Sequence, residues 1–381
     1  MTRRIYVYAS HERQSLSCFG IVRVQSLLCA PTSWLKLSRM QILKLSILVM
    51  AFYAAACAGK GKTNPTAKAE DVAIPEELAK NYQITDYNPA LLLMVPAQQP
   101  GKTPEELKGK KKKKMAKKDE PAVKEPAPAT LSGGMVIPHR RPKFDPVWVG
   151  EKITMDVTWL KTRGGDFTLE VLPFAALNNR KVYHIRGIAQ TSDFFSYIYR
   201  ATDTVESFID FEGWFPYKFT LNGDESKYIR RYLELFDHGA SKQYIHTFNQ
   251  KVKTGEISEE KGYKDLTPLS QDSISALYYA RTLDMSPGST LHFPMTTNGS
   301  VWETSLVIVG REEISTKMGK LKTIKTKVET RFRGNMQQKG DSFIWYTDDE
   351  RKYPVKFEAK VKIGYVTGTV TKIEPGSQSA E

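Results

Sequence analysis

The sequence predicts an all-β fold: antiparallel, about a dozen strands in a barrel-like or strongly curved sheet, with one short helix near residues 272–283. Three observations carry this. From Trp148 onward apolar and polar residues alternate with a period of two, the signature of strands with one buried and one wet face. Near the C-terminus the wet positions are charged: Lys356, Glu358, Lys360 and Lys362 separate Val355, Phe357, Ala359, Val361 and Ile363, which a parallel strand buried on both faces would not carry. Turn signals at Asn222-Gly223, His238-Gly239, Asn298-Gly299 and Met318-Gly319 break the remainder into short runs.

In chain order, Ile153, Met155, Val157 and Trp159 form the first alternating run. Gly164-Gly165 reads as a hairpin turn, and Phe167, Leu169 and Val171 resume the alternation. Further strands are read at 181–190, 200–209, 215–222, 226–236, 242–250, 289–295, 301–310, 321–331 and 342–347, before the run from Val355 to Ile363. One segment departs from this period. In DSISALYYARTL, Ile274, Leu277, Tyr278 and Arg281 fall at helical spacing behind Asp272, an N-cap residue, and Pro287-Gly288 closes the region. Such a helix either plugs one end of a barrel or packs across the sheet.

The domain so defined, residues 141–375 with a flexible tail at 376–381, is the second half of a chain of 381 residues. Only +3 of the formal net charge of +14 belongs to residues 141–381, so the basic footprint of a nucleic-acid-binding domain is lacking and no nucleic-acid partner is expected. The excess lies upstream. From Met40 the chain reads MQILKLSILVMAFYAAAC: a lysine, an apolar run over residues 45–56 too short to span a membrane, and small residues before a cysteine. Ala54-Ala55-Ala56-Cys57 resembles a bacterial lipobox, so residues 40–56 are expected to be a lipoprotein signal peptide and Cys57 the lipidated residue. Residues 1–39 are expected to be a mis-called extension, translation starting at Met40. Ala58 stands where an inner-membrane retention signal of such lipoproteins has Asp. The expected place is therefore the cell envelope, at the outer membrane facing the periplasm.

Residues 57–140, rich in proline and with a lysine run from Lys110 to Lys114, are expected to be a disordered tether. The apolar patch at 90–95 either docks on the domain, starts a helix or clusters transiently. The lysines serve as a solubilising block or lie against anionic polymers or lipid phosphates.

The chemistry legible in the domain is sparse. Its cysteines all precede residue 58, which excludes disulfides and thiolate chemistry from the body. His184, His238, His246 and His292 are scattered without metal-ligand spacing, and no phosphate loop or nucleophile elbow is present, so neither cofactor nor metal is expected. Asp203 with Glu206, and Asp348 with Asp349, are the carboxylates that an envelope hydrolase would use, if they stood about 5 to 9.5 Å apart across a cleft. The aromatic groups are more suggestive. Phe194, Phe195, Tyr197, Trp214 and Phe357 either pack the core or line an apolar cavity, so the leading expectation is a binding or scaffold module for a hydrophobic ligand or an envelope protein partner.

The runs VGEKITMDVTWLKTRGGDFTLEV, ATDTVESFIDFEGWFPYKF, DSISALYYAR and IWYTDDERKYPVKFEAKVKIGYVTGTV resemble, in that order, the exported bacterial proteins of the DUF3108 family, a domain of unknown function. The resemblance covers residues 146–374, on features such as Gly150-Glu151, Asp203 with Ser207, Asp210 with Pro216, and Tyr353-Pro354. It implies a periplasmic β-rich domain and brings no catalytic residue with it.

Overall fold

The computed structural model describes residues 73–88, 131, 134–332, 335–336, 342–361 and 363–378. Cys57, the apolar run before it, the 90–95 patch, the lysine run and residues 1–39 lie outside them. The elements are α1 (Glu76–Tyr82), β1 (Ile84–Asp86), β2 (Val149–Trp159), β3 (Thr162–Leu177), β4 (Arg180–Thr191), α2 (Asp193–Ser196), β5 (Ala201–Asp210), β6 (Pro216–Glu225), β7 (Tyr228–Asp237), β8 (Lys242–Lys251), β9 (Ile257–Asp265), α3 (Ser273–Arg281), β10 (Thr290–Thr297), β11 (Ser300–Thr316), β12 (Gly319–Phe332), β13 (Asn335–Met336), β14 (Ser342–Thr347), β15 (Pro354–Lys360) and β16 (Tyr365–Ser377).

Every strand pairing is antiparallel, and the sheet is two meanders joined at a seam. Strands β2 to β9 pair each with the next; β10, β11, β12, β14, β15 and β16 do the same; and β16 pairs with β2. The sheet is curled but not closed, with β9 and β10 at its edges. Its curl follows from the core. Ile153 of β2, Val205 of β5, Leu306 of β11 and Val355 of β15 belong to one buried cluster with Ile274 and Leu277 of α3, so opposite parts of the sheet face one another across the helix. The β10–β11 hairpin is laid onto the inner face of β7 and β8: Thr296 Oγ1 donates to Gln243 Oε1 at 2.9 Å, and Asn298 N donates to the buried Glu234 carboxylate. Gln271 stitches this edge, donating from its backbone to Pro294 O at 2.9 Å and accepting from Thr296 N at 2.8 Å.

Three local expectations are corrected. Gly164-Gly165 is not a turn; the β2–β3 hairpin turns at Leu160 and Lys161, both at positive φ, and Gly165 sits within β3, where a Cβ would lie 2.1 Å from Gln190 O of β4. Asn222-Gly223 is likewise inside β6, and Gly223 leaves room for the Asp203 carboxylate opposite it, 3.0 Å from where a Cβ would stand. The tail begins later than 376, because Ser377 still pairs with Val149.

The tether also holds more order than its composition implies. Strand β3 outruns β2, which pairs with it only as far as Glu170, and its free rim from Ala175 to Leu177 takes up β1. Helix α1 places Leu78 and Tyr82 one turn apart, and they pack with Ile74 and Ile137 onto the outer cluster of Leu177, Val182, Phe208 and Leu233. Residues 73–88 and 134–140 are therefore part of the domain, held by apolar burial on its outer face.

Candidate functional site

Helix α3 is fixed at both ends inside the curled sheet. At its start Asp272 Oδ1 accepts from Ile274 N at 2.8 Å and Ser275 N at 2.7 Å, Ser275 Oγ accepts from Asp272 N, and Ser207 Oγ of β5 donates to Asp272 Oδ2 at 2.6 Å. Burial pushes the Asp272 carboxyl up to about 6, against these hydrogen bonds. At its end Arg281 enters a buried ion triad. Its Nη1 and Nη2 donate to Glu151 Oε1 and Oε2 at 2.6 and 2.8 Å, and Arg351 Nη2 donates to the same Glu151 Oε2 at 2.8 Å. The carbonyl of Pro146 accepts from both guanidiniums, and Arg351 lies 3.7 Å from the centre of the Trp148 ring.

The helix so held leaves a cavity of about 70 Å³ along one flank. It is lined by Met155, Phe167 and Val205, by Met295, Leu306, Val328 and Phe357 of the other meander, and by Ile274 and Leu277 of α3. This is well below the ~300 Å³ of a pocket that takes a drug-sized ligand, but several times the ~10–15 Å³ that one water needs. The lining is apolar apart from a few groups, among them the Thr304 hydroxyl, a buried polar atom with no partner.

Of the five aromatics singled out in the sequence, Phe357 is on this wall. Its ring rests on Gly368 of the neighbouring strand and meets Phe167 edge-on at 6.5 Å. Trp214 is buried elsewhere, 4.9 Å from Tyr183 in the β5–β6 turn. Phe195 packs with Tyr199, Ala201 and Trp159 at one end of the sheet, while Phe194 and Tyr197, on the same short segment, point outward. The single turn of α2 explains the split, since adjacent helical positions cannot share a face. Ile274 and Leu277 were legible as positions at helical spacing, but which strand residues converge on them depends on the curl.

The carboxylates expected to work as pairs stand apart. Asp203 faces inward from β5, and Glu206, three residues on, faces outward, where hydrogen bonds from His184 and Arg186 hold it down at about 2. Asp348 pairs with Arg311 at 2.8 Å, and Asp349 accepts from Lys352 N and Thr347 Oγ1 within its turn. Asp203 instead belongs to a buried polar group that the sequence did not show, with Glu225, Arg230 and Tyr199. Arg230 pairs with Glu225, which also accepts from the Tyr199 hydroxyl. Burial, and then the Glu225 charge, push the Asp203 carboxyl up to about 7, and its Oδ1 has no partner. Among the described residues no three of His, Cys, Asp and Glu come together as a metal site. The four histidines are engaged separately; His238, buried between Pro216 O and Leu269 N, is pushed down to about 4.

Residues that carry the family resemblance are supports of this framework. Glu151 anchors the plug helix, Ser207 its N-cap, and Asp210 takes a bidentate contact from Arg180 and accepts from Tyr217 Oη and Gly213 N.

Among solved structures the chain is similar to a β-barrel-like protein of domain of unknown function DUF1849 from Brucella abortus, at 10% identity and a TM-score of 0.38, over 60% of this chain and 98% of that one. A candidate lipoprotein of Parabacteroides distasonis matches at 10% identity and a TM-score of 0.24, over 62% of this chain and 98% of that one. A candidate exported protein with YmcC-like fold from Bacteroides fragilis matches at 14% identity and a TM-score of 0.23, over 61% and 100% respectively. No curated protein sequence is significantly similar to the chain. The model of the protein family of unknown function DUF3108 matches residues 152–371, from early in β2 to the middle of β16, and the chain belongs to that family.

Proposed function

We propose that this chain is a lipid-anchored protein of the cell envelope, at the periplasmic face of the outer membrane, that binds a slender apolar group such as the end of an acyl chain. The observation that carries the binding reading is the cavity beside α3: an apolar space left open within the core, with the unpartnered Thr304 hydroxyl on its wall. The anchor reading rests on Cys57, placed between an apolar run and a polar segment.

Titrating the full chain with a dansyl-labelled fatty acid tests the first part. Saturable enhancement of fluorescence is expected, and Val328→Phe, which fills the cavity from β12, should weaken it by at least ~10-fold without loss of the cooperative melt. Uptake that is absent, or unchanged by Val328→Phe, overturns the reading and leaves a scaffold for an envelope protein partner. Cys57→Ser tests the second part, and is expected to move the protein from the membrane to the soluble fraction.

A further inference from the structure

Among the described residues the three most exposed large apolar side chains share one short connection, and two more stand beside it. Leu160 (54% exposed) is in the β2–β3 turn, Phe194 (71%), Tyr197 (92%) and Ile198 (71%) are in the β4–β5 connection, and Ile363 (53%) is in the β15–β16 turn. Strand register brings all three connections to one end of the sheet. Trp159 pairs with both Thr162 and Val366, and Gly165 pairs with Thr191. Direct contacts tie the tips together: Trp159 Nε1 donates to Ile363 O at 2.8 Å, and Ser192 N donates to Gly164 O at 2.9 Å.

These side chains are held out by a built structure. Ser192 caps the turn of α2, Ser196 Oγ donates to Asp193 O at 2.6 Å, and Tyr199 N donates to Phe195 O at 2.9 Å. Phe195 and Tyr199 are buried beneath, so the segment has an inward anchor and an outward apolar face within seven residues. Leaving Phe194, Tyr197 and Ile198 together in water is costly.

We propose that this end of the sheet is a docking rim that seats on an anionic lipid surface. The apolar groups are separate projecting tips from three connections, about four strands across, and not the walls of a groove. Projecting tips suit a deformable apolar phase, where a protein partner would have to supply a matching pocket for each. Tyrosine beside aliphatic side chains is the mixture that settles at a membrane–water interface. The charge is complementary as well. Exposed Lys161, Arg200 and Lys360 stand beside the tips, against the one carboxylate of Asp193 in these connections, while the nearby Arg163 is held by Asp156 and Asp166. The docking does not depend on what the cavity holds.

The test reads the rim directly, so that no anchor elsewhere in the chain can supply the signal. In the full chain with Cys18, Cys29 and Cys57 replaced by serine, Tyr197→Cys carries a polarity-sensitive fluorophore. Ala240→Cys, in the β7–β8 turn at the other end, carries the same label as control. Vesicles of phosphatidylethanolamine with a quarter of phosphatidylglycerol, brominated in their acyl chains, are expected to shift the label at 197 to the blue and quench it, and to leave the label at 240 unchanged. Phe194→Ser together with Ile198→Ser should weaken the response by at least ~10-fold with the circular dichroism unchanged, and phosphatidylcholine vesicles should give less of it. A label at 197 that stays in water, or two labels that respond alike, overturns the proposal. A response that needs added membrane protein, or that follows self-association without lipid, overturns the lipid assignment.

Discussion

Replacing Glu151 by glutamine should cost about 3–5 kcal/mol, the range for breaking a buried ion pair by removing one partner. The carboxylate is fully buried and accepts three charge-assisted hydrogen bonds from two guanidiniums, Arg281 from α3 and Arg351 from the β14–β15 turn. An amide keeps one acceptor oxygen, turns an N–H₂ toward guanidinium donors, and leaves two buried positive charges with the carbonyls of Pro146, Pro375 and Arg351 and neighbouring aromatic rings but no counter-charge. At about 2–4 °C per kcal/mol for a domain of this size, the melting temperature should fall by roughly 10 °C. Urea unfolding followed by tryptophan fluorescence measures it, with the m-value unchanged if the unfolded state is unaffected. A triple variant, Glu151→Met with Arg281→Leu and Arg351→Met, separates charge from shape: it should recover much of the loss, because no uncompensated charge remains buried. A Glu151→Gln protein within ~1 kcal/mol of wild type would refute the account of the triad as the fixed point of the plug helix.

Three other outcomes are expected. Phe357→Ala should cost about 3 kcal/mol, the low end for an aromatic site because one side of the ring already faces a cavity, whereas Lys360→Ala on the wet face should cost no more than ~0.5 kcal/mol; equal costs in denaturant titrations would contradict the register. Glu234 is raised to about 7 by burial, against hydrogen bonds from Asn298 and Gly299. Its folded state therefore binds a proton more tightly than the unfolded state, and the stability this confers is full below the ordinary carboxylate range and lost as pH rises toward 7. Glu234→Gln should thus melt higher than wild type at pH ~7.5 and show a flatter decline between pH ~6.5 and ~7.5, above the window in which buried His238 opposes the trend. A chain starting at 141 should melt lower than one starting at 73, since it uncovers Leu177 and Val182; equal melting would mean that α1 and β1 add nothing.

What the sequence made legible was local and periodic. The strand of Val355 to Ala359 and the capped helix behind Asp272 stand where alternation and N-cap chemistry put them. Strand β9, ISEEKGYKD, was missed because an edge strand exposed on both faces has no apolar alternation to read. The two glycine pairs misled because a glycine in a strand and a glycine in a turn look alike until the neighbouring strand is placed beside it. The site was harder to read for a related reason. Alternation assigns a residue to a face, but which faces meet across α3 depends on the curl of the whole sheet. A dense aromatic run such as Phe194 to Tyr199 therefore read as core packing or cavity lining when half of it points outward.

The seam between β16 and β2 bears on how the chain is made. Thr158 Oγ1 of β2 donates to Thr367 O of β16, 209 positions later, so the first long strand to emerge waits for the last before its ladder is complete. Until then the leading meander presents β2 as a raw edge, and loop closure over such a separation is slow. A chain emerging N-terminus first spends that interval open to pairing with a neighbour, which makes a holding chaperone useful. For the same reason a stop codon at position 365, ahead of β16, would not trim a margin. It would take out a central strand, part the two meanders and leave four edges where the finished protein has two.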